Sequence, residues 1–129
     1  IGTPIALGEQ LYLAEHFAAF IAAGAVHYVQ PDVARIGGIT PWLHVADMAL
    51  AISLPVVSHI GDMMQVHVHT AIAHPACTML EYIPWMRECF TEPATVAGGR
   101  FEVPEAPGAG TTLRPDALER FGVPVGRVQ

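Results

Sequence analysis

Positive charge is scarce in this chain of 129 residues: Lys and Arg together number six against twelve Asp and Glu, for a net charge of −6. Nucleic-acid binding needs clustered cations that displace counterions from phosphate, so the composition argues against it. Cysteine is scarce too. Cys77 and Cys89 are too few for a disulfide framework and read as reduced thiols of a cytoplasmic protein. No apolar run approaches the length of a membrane span; Ala18 to Val26 is apolar but short, and His27 follows it. No phosphate-loop pattern, Gly-x-Ser-x-Gly or Cys-x-x-Cys is present. The opening Ile1-Gly2-Thr3-Pro4 has neither an initiator Met nor the basic region of a signal peptide, which predicts a segment cut from a larger protein. Charged residues make up 14% and apolar residues 52%, so the chain can bury a large core and should be ordered.

What is present is an alternation. Short apolar runs at Pro4-Ile5-Ala6-Leu7, His27-Tyr28-Val29, Pro55-Val56-Val57 and Thr78-Met79-Leu80 predict strands. Between them lie amphipathic segments. Leu11 to Ala23 predicts a helix with Leu11, Ala14, Phe17, Ala18 and Ile21 on one face and Gly24 as its stop. A second helix should run to about Ile52, with Thr40 as N-cap and Pro41 at the first helical position. A third should span Met63 to Ala73, ended by His74-Pro75. This β-α alternation means parallel strands, and it fits either a small doubly wound sheet or half of an eight-stranded barrel. After Glu81 the chain turns rich in Pro and Gly, with a short strand expected at Arg100-Phe101-Glu102-Val103 and a short helix at Leu113 to Phe121.

The predicted strand tips carry Glu9, Asp32, His59 and Glu81 in turn. In parallel β-α architectures the loops at that edge converge, so the four side chains are expected at one mouth. Each has a bland reading: Glu9 as a helix-start acid, Asp32 as a turn residue after Pro31, His59 as a structural histidine, Glu81 as an exposed strand-end charge. Titratable groups gathered at one edge are costly without a task or a counter-charge. A carboxylate beside an imidazole fixes its tautomer and raises its basicity, so Asp32 and His59 predict a general base. His67 and His69, two apart on a helix, face differently and are assigned to the helix surface or to packing; His74 suits a helix end; His16, His27 and His44 have no paired spacing.

These residues resemble the C-terminal part of an enolase-superfamily enzyme of the mandelate racemase subgroup (mandelate racemase/muconate lactonizing enzyme family). The resemblance is carried by Gly8-Glu9, by Gln30-Pro31-Asp32-Val33-Ala34-Arg35-Ile36-Gly37-Gly38-Ile39-Thr40, by Ser58-His59 and by Leu80-Glu81-Tyr82. Gly98-Gly99-Arg100-Phe101-Glu102-Val103-Pro104 and Pro107-Gly108-Ala109-Gly110 resemble its closing segment. The resemblance implies an α/β fold, the C-terminal half of a (β/α)8 barrel over residues 1–90, with residues 91–129 returning toward an N-terminal capping domain. It implies that Glu9 is the last of three carboxylate ligands to Mg²⁺. It implies Asp32 and His59 as the paired base, and Glu81 as hydrogen-bond donor to a carboxylate oxygen of an enediolate. Asp62 and Gln65, in the segment between His59 and Glu81, are the alternatives to Glu81 in facing the substrate. The other two metal ligands and an opposing base belong to strands that would precede Ile1.

The activity this implies is Mg²⁺-dependent removal of the proton next to a carboxylate, with a sugar acid as substrate and dehydration as outcome. A racemase or epimerase of a 2-hydroxy acid is the alternative within enzymes. From a different class comes a catalytically silent piece that needs a complementing chain, since half a barrel leaves open sheet edges. The intact protein is expected to be a homo-oligomer, with no nucleic acid and no membrane among its partners.

Overall fold

The computed structural model describes residues 2–61, 65–103 and 105–123. Three β-α steps and a fourth strand open the chain: β1 (Ala6–Leu7), α1 (Ala14–Ala22), β2 (Tyr28–Val29), α2 (Ile39–Ala51), β3 (Val56–Ser58), α3 (Val66–Ala73) and β4 (Cys77–Leu80). A 3-10 turn at Arg87–Cys89 follows, then β5 (Val96–Ala97), β6 (Arg100–Phe101) and α4 (Pro115–Phe121). The strands β1 to β4 form one parallel sheet in sequential order. That order decides between the two architectures open to the sequence. A doubly wound sheet reverses direction at a switch point, whereas a barrel adds each strand beside the last. Register places Leu7 opposite Val29, Val29 opposite Val56 and Ser58 opposite Leu80, so the four tips lie at one edge.

The core lies between this sheet and its helices. On α2, Trp42, Val45, Ala46 and Ala49 recur at one face and are fully buried, packing with Phe17 of α1 and Val29 and Val56 of the sheet. A buried side chain as large as Trp42 contributes about 3–5 kcal/mol when judged by truncation. Its indole Nε1 also donates to the Pro31 carbonyl at 3.3 Å, which fastens α2 to the loop carrying Asp32. The outer strands stay open: Met79 of β4 is 55% exposed and Trp85 beyond it 73%.

Element boundaries differ from the sequence expectation in four places. Helix α1 begins at Ala14 and not Leu11, because Leu11 N–H closes a turn on Gly8 O and Leu13 is extended. Helix α2 begins at Ile39 with Gly38 as its N-cap, so Thr40 lies inside the helix and caps nothing. Gly38 adopts φ 127°, open to glycine and closed to Thr, and Pro41 falls in the first turn, where a missing N–H costs nothing. Helix α3 is Val66–Ala73; the expected start at Met63 lies outside the described residues. At the C-terminal end, β6 pairs antiparallel with β5 across Gly98-Gly99, both at positive φ, a hairpin the sequence reading had only as a lone strand. Leu113 bridges to Phe90, so α4 starts later, at Pro115.

Candidate active site at the strand tips

Glu9, Asp32, His59 and Glu81 meet at the C-terminal edge of the sheet. The imidazole of His59 is their hub. Its Nδ1 lies 2.7 Å from Asp32 Oδ2, its Nε2 2.8 Å from Glu9 Oε2 and 3.5 Å from Glu81 Oε2. Asp32 and His59 are buried, while the Glu9 and Glu81 side chains stay partly open to solvent. Both Asp32 and Glu9 thus lie within hydrogen-bond distance of the ring, one at each nitrogen.

Backbone connections set this geometry. The amide of His59 donates to Pro31 O, Glu81 N–H to Ser58 O and Gly61 N–H to Glu81 O, which stitches the three later tips together. Arg35 Nη1 donates to Glu9 O at 2.9 Å and ties the first tip to the second. Gly8 stands just before Glu9 because a Cβ there would strike the Phe17 ring and sit 2.9 Å from Gln30 O.

Asp32 is held by both oxygens. Oδ1 accepts from Ala34 N–H (2.8 Å) and Arg35 N–H (3.0 Å), and Oδ2 faces His59. Burial pushes its pKa up, but the His59 hydrogen bond and the two amides outweigh this and hold the carboxyl below its ordinary 3.8. An ionised Asp32 only accepts, so the proton on His59 Nδ1 points at it and Nε2 turns toward Glu9 and Glu81.

His67, assigned from sequence to helix surface or packing, is completely buried beside this pair. Its Nε2 accepts from Val33 N–H at 2.7 Å and its Nδ1 meets Ile60 O at 3.0 Å. Arg35 and the Trp42 indole were likewise not singled out as supports of the site. The available signal was that of two histidines at positions 67 and 69, one had to face the sheet. Gln65 is buried, and Asp62 lies outside the described residues. His74 is the C-cap of α3, at the helix end expected from the sequence, where it donates to Asp47 of α2 at 3.1 Å and accepts from Ala76 N–H.

A cleft of about 710 Å³ runs between Gln65 and the C-terminal segment around Phe101, Glu102 and Gly110, and none of the four tip residues lines it. The carboxylate of Glu9, with a side chain 43% exposed, fits one hard oxygen ligand of a divalent cation. Among the described residues no group of three or more His, Cys, Asp or Glu side chains is placed to hold a metal ion.

Residues 1–117 match the family described as enolase C-terminal domain-like. L-talarate/galactarate dehydratase of Salmonella typhimurium is 34% identical over 117 residues, which cover 91% of this chain and 29% of that protein. D-xylonate dehydratase of Haloferax volcanii is 35% identical over 126 residues, covering 91% and 30%. Among solved structures, L-talarate dehydratase from a Polaromonas species, complexed with Mg and L-glucarate, superposes with a TM-score of 0.81 at 37% identity, covering 92% of this chain and 33% of that one. An enolase from Bradyrhizobium, complexed with magnesium and mandelic acid, gives 0.85 at 34% identity, covering 95% and 33%. The chain thus spans about a third of the length of these relatives. The match agrees with the sequential parallel strands of this sheet, and the chain belongs to the enolase C-terminal domain-like family, as a part of its (β/α)8 barrel.

Proposed function

We propose that this chain carries the base of a Mg²⁺-dependent sugar-acid dehydratase that removes the proton next to a carboxylate. The observation that supports it best is the placement of His59: Nδ1 on Asp32, Nε2 on the side of Glu9 and Glu81. A hydrogen next to a carboxylate is very weakly acidic, because its loss piles charge onto oxygens that are already anionic. Glu9, with ligands from beyond this chain, would hold Mg²⁺, whose positive charge would lower this cost. Asp32 keeps the His59 proton on Nδ1, so the Nε2 lone pair takes the α-proton. Glu81 donates a hydrogen bond to a carboxylate oxygen of the enediolate. The proton on Nε2 then leaves with the β-hydroxyl as water, and the resulting enol becomes a 2-keto-3-deoxy acid. Burial of His59 and Asp32 strengthens each of these contacts.

The exposed Met79 and the open edges of β1 and β4 support a reading in which further strands complete the barrel around the site. Residues 91–129 are proposed to return toward the capping domain. The packing of Phe101 over Gly61, and of Gly110 beside Gln65, supports this by bringing the segment over the loop after His59.

The test uses the full-length protein with Mg²⁺ and a panel of hexonates and aldarates in D₂O. Release of a 2-keto-3-deoxy acid is expected, and His59→Asn should abolish α-proton exchange while the fold and Mg²⁺ binding persist. Exchange without keto-acid product would replace dehydration by racemisation or epimerisation. Exchange retained in H59N would remove His59 as the base.

A further inference from the structure

We infer that His67 is a positioning residue that sets the distance between Asp32 and His59 by clamping the residue that follows each of them. This inference rests on the assignment of those two as the base pair. His67 Nε2 accepts from the amide of Val33, one residue past Asp32, and His67 Nδ1 meets the carbonyl of Ile60, one residue past His59. A backbone N–H can only donate, so Nε2 carries no proton. Nδ1 therefore carries it and donates to Ile60 O. The ring is neutral and of one tautomer, with both nitrogens engaged. Burial favours the same neutral form.

Two further observations show that the clamp holds something that would otherwise relax. Ile60 has φ 35°, in the left-handed region that a β-branched residue avoids. Both its backbone groups are tied, the carbonyl to His67 and the amide to Glu81 Oε2 at 3.2 Å. The strained turn at Ile60 aims His59, and His67 is one of its two anchors. On the other side, the three amides after Asp32 divide their work: Val33 goes to His67, while Ala34 and Arg35 go to Asp32 Oδ1. Val33 thus fastens the Asp32 turn to helix α3. His67 Nε2 is 3.9 Å from Asp32 Oδ1, beyond hydrogen-bond range, so the ring acts on the pair through backbone.

Two substitutions in the full-length protein each cut one tie. His67→Asn keeps a donor at the Nδ1 position for Ile60 and loses the Val33 acceptor. His67→Gln keeps an acceptor at the Nε2 position for Val33 and loses the Ile60 donor. Both are expected to fold, with kcat for sugar-acid dehydration lower by about 10- to 100-fold, the usual cost of losing an orienting partner, and with KM and the Mg²⁺ requirement nearly unchanged. The proton shared by His59 Nδ1 and Asp32, a downfield ¹H resonance identified by its loss in H59N, should move upfield in both. A folded variant with wild-type kcat and an unmoved resonance overturns the inference. Failure of both variants to fold also overturns it, leaving His67 a purely structural residue. If the wild-type enzyme acts on no sugar acid, the dehydratase reading fails by itself, and the resonance still decides whether His67 positions the pair.

Discussion

Replacing Asp32 by Asn changes a charge and a proton while leaving the shape of the site intact. The Asn oxygen can keep both amides that Oδ1 now holds, Ala34 at 2.8 Å and Arg35 at 3.0 Å. Its NH₂ then occupies the place of Oδ2, 2.7 Å from His59 Nδ1. Two donors cannot face each other at that distance, so the imidazole moves its proton to Nε2 and offers Nδ1 as acceptor. The nitrogen that should take the α-proton is then already protonated. The fold loses only the ionic part of one hydrogen bond, at most about 1.5–3 kcal/mol. A carboxylate-oriented histidine given the isosteric amide loses about 10⁴-fold in turnover, or roughly 5 kcal/mol of transition-state stabilisation. Activity should therefore fall far more than stability. The assay pairs α-proton exchange in D₂O at saturating substrate with a urea midpoint for D32N and wild type. Exchange in D32N within tenfold of wild type would refute the tautomer argument. A stability loss large enough to explain the activity loss would refute it equally.

Gly8→Ala should destabilise the protein by about 1–3 kcal/mol through overpacking, because Gly8 has φ 144° and the new Cβ meets the Phe17 ring and the Gln30 backbone carbonyl. A melting temperature equal to wild type would contradict this; the Mg²⁺ needed for half-maximal activity should also rise, since Glu9 is the next residue. Stability should decline toward acid in two steps. Below the ordinary histidine value of 6.5, the unfolded chain binds a proton that the buried His67 ring refuses, so stability falls as pH drops from there. Asp32, held below its ordinary 3.8, contributes stability that is present above that value and lost as pH falls through its lowered native value. Urea midpoints measured across pH check both steps, and H67Q should remove the upper one alone.

Much of this molecule was written in local pattern. The four strands, the three helices between them and the acids and imidazole at their tips follow from short apolar runs, helical spacing and the residue that ends each run. The buried stripe Trp42, Val45, Ala46 and Ala49 is readable from its period. Local pattern cannot carry strand order, because crossovers of the same length build either a barrel or a doubly wound sheet. Neighbour pairing in the sheet decided that. Nor can it say which of two histidines two residues apart faces inward. His67 gained its task only when the amide of Val33 and the carbonyl of Ile60, remote in sequence, were brought to its two ring nitrogens. Periodicity is a property of consecutive residues, and hydrogen-bond partners across loops are a property of the packed chain. The first placed Asp32 and His59 at one edge, and the second brought them to 2.7 Å.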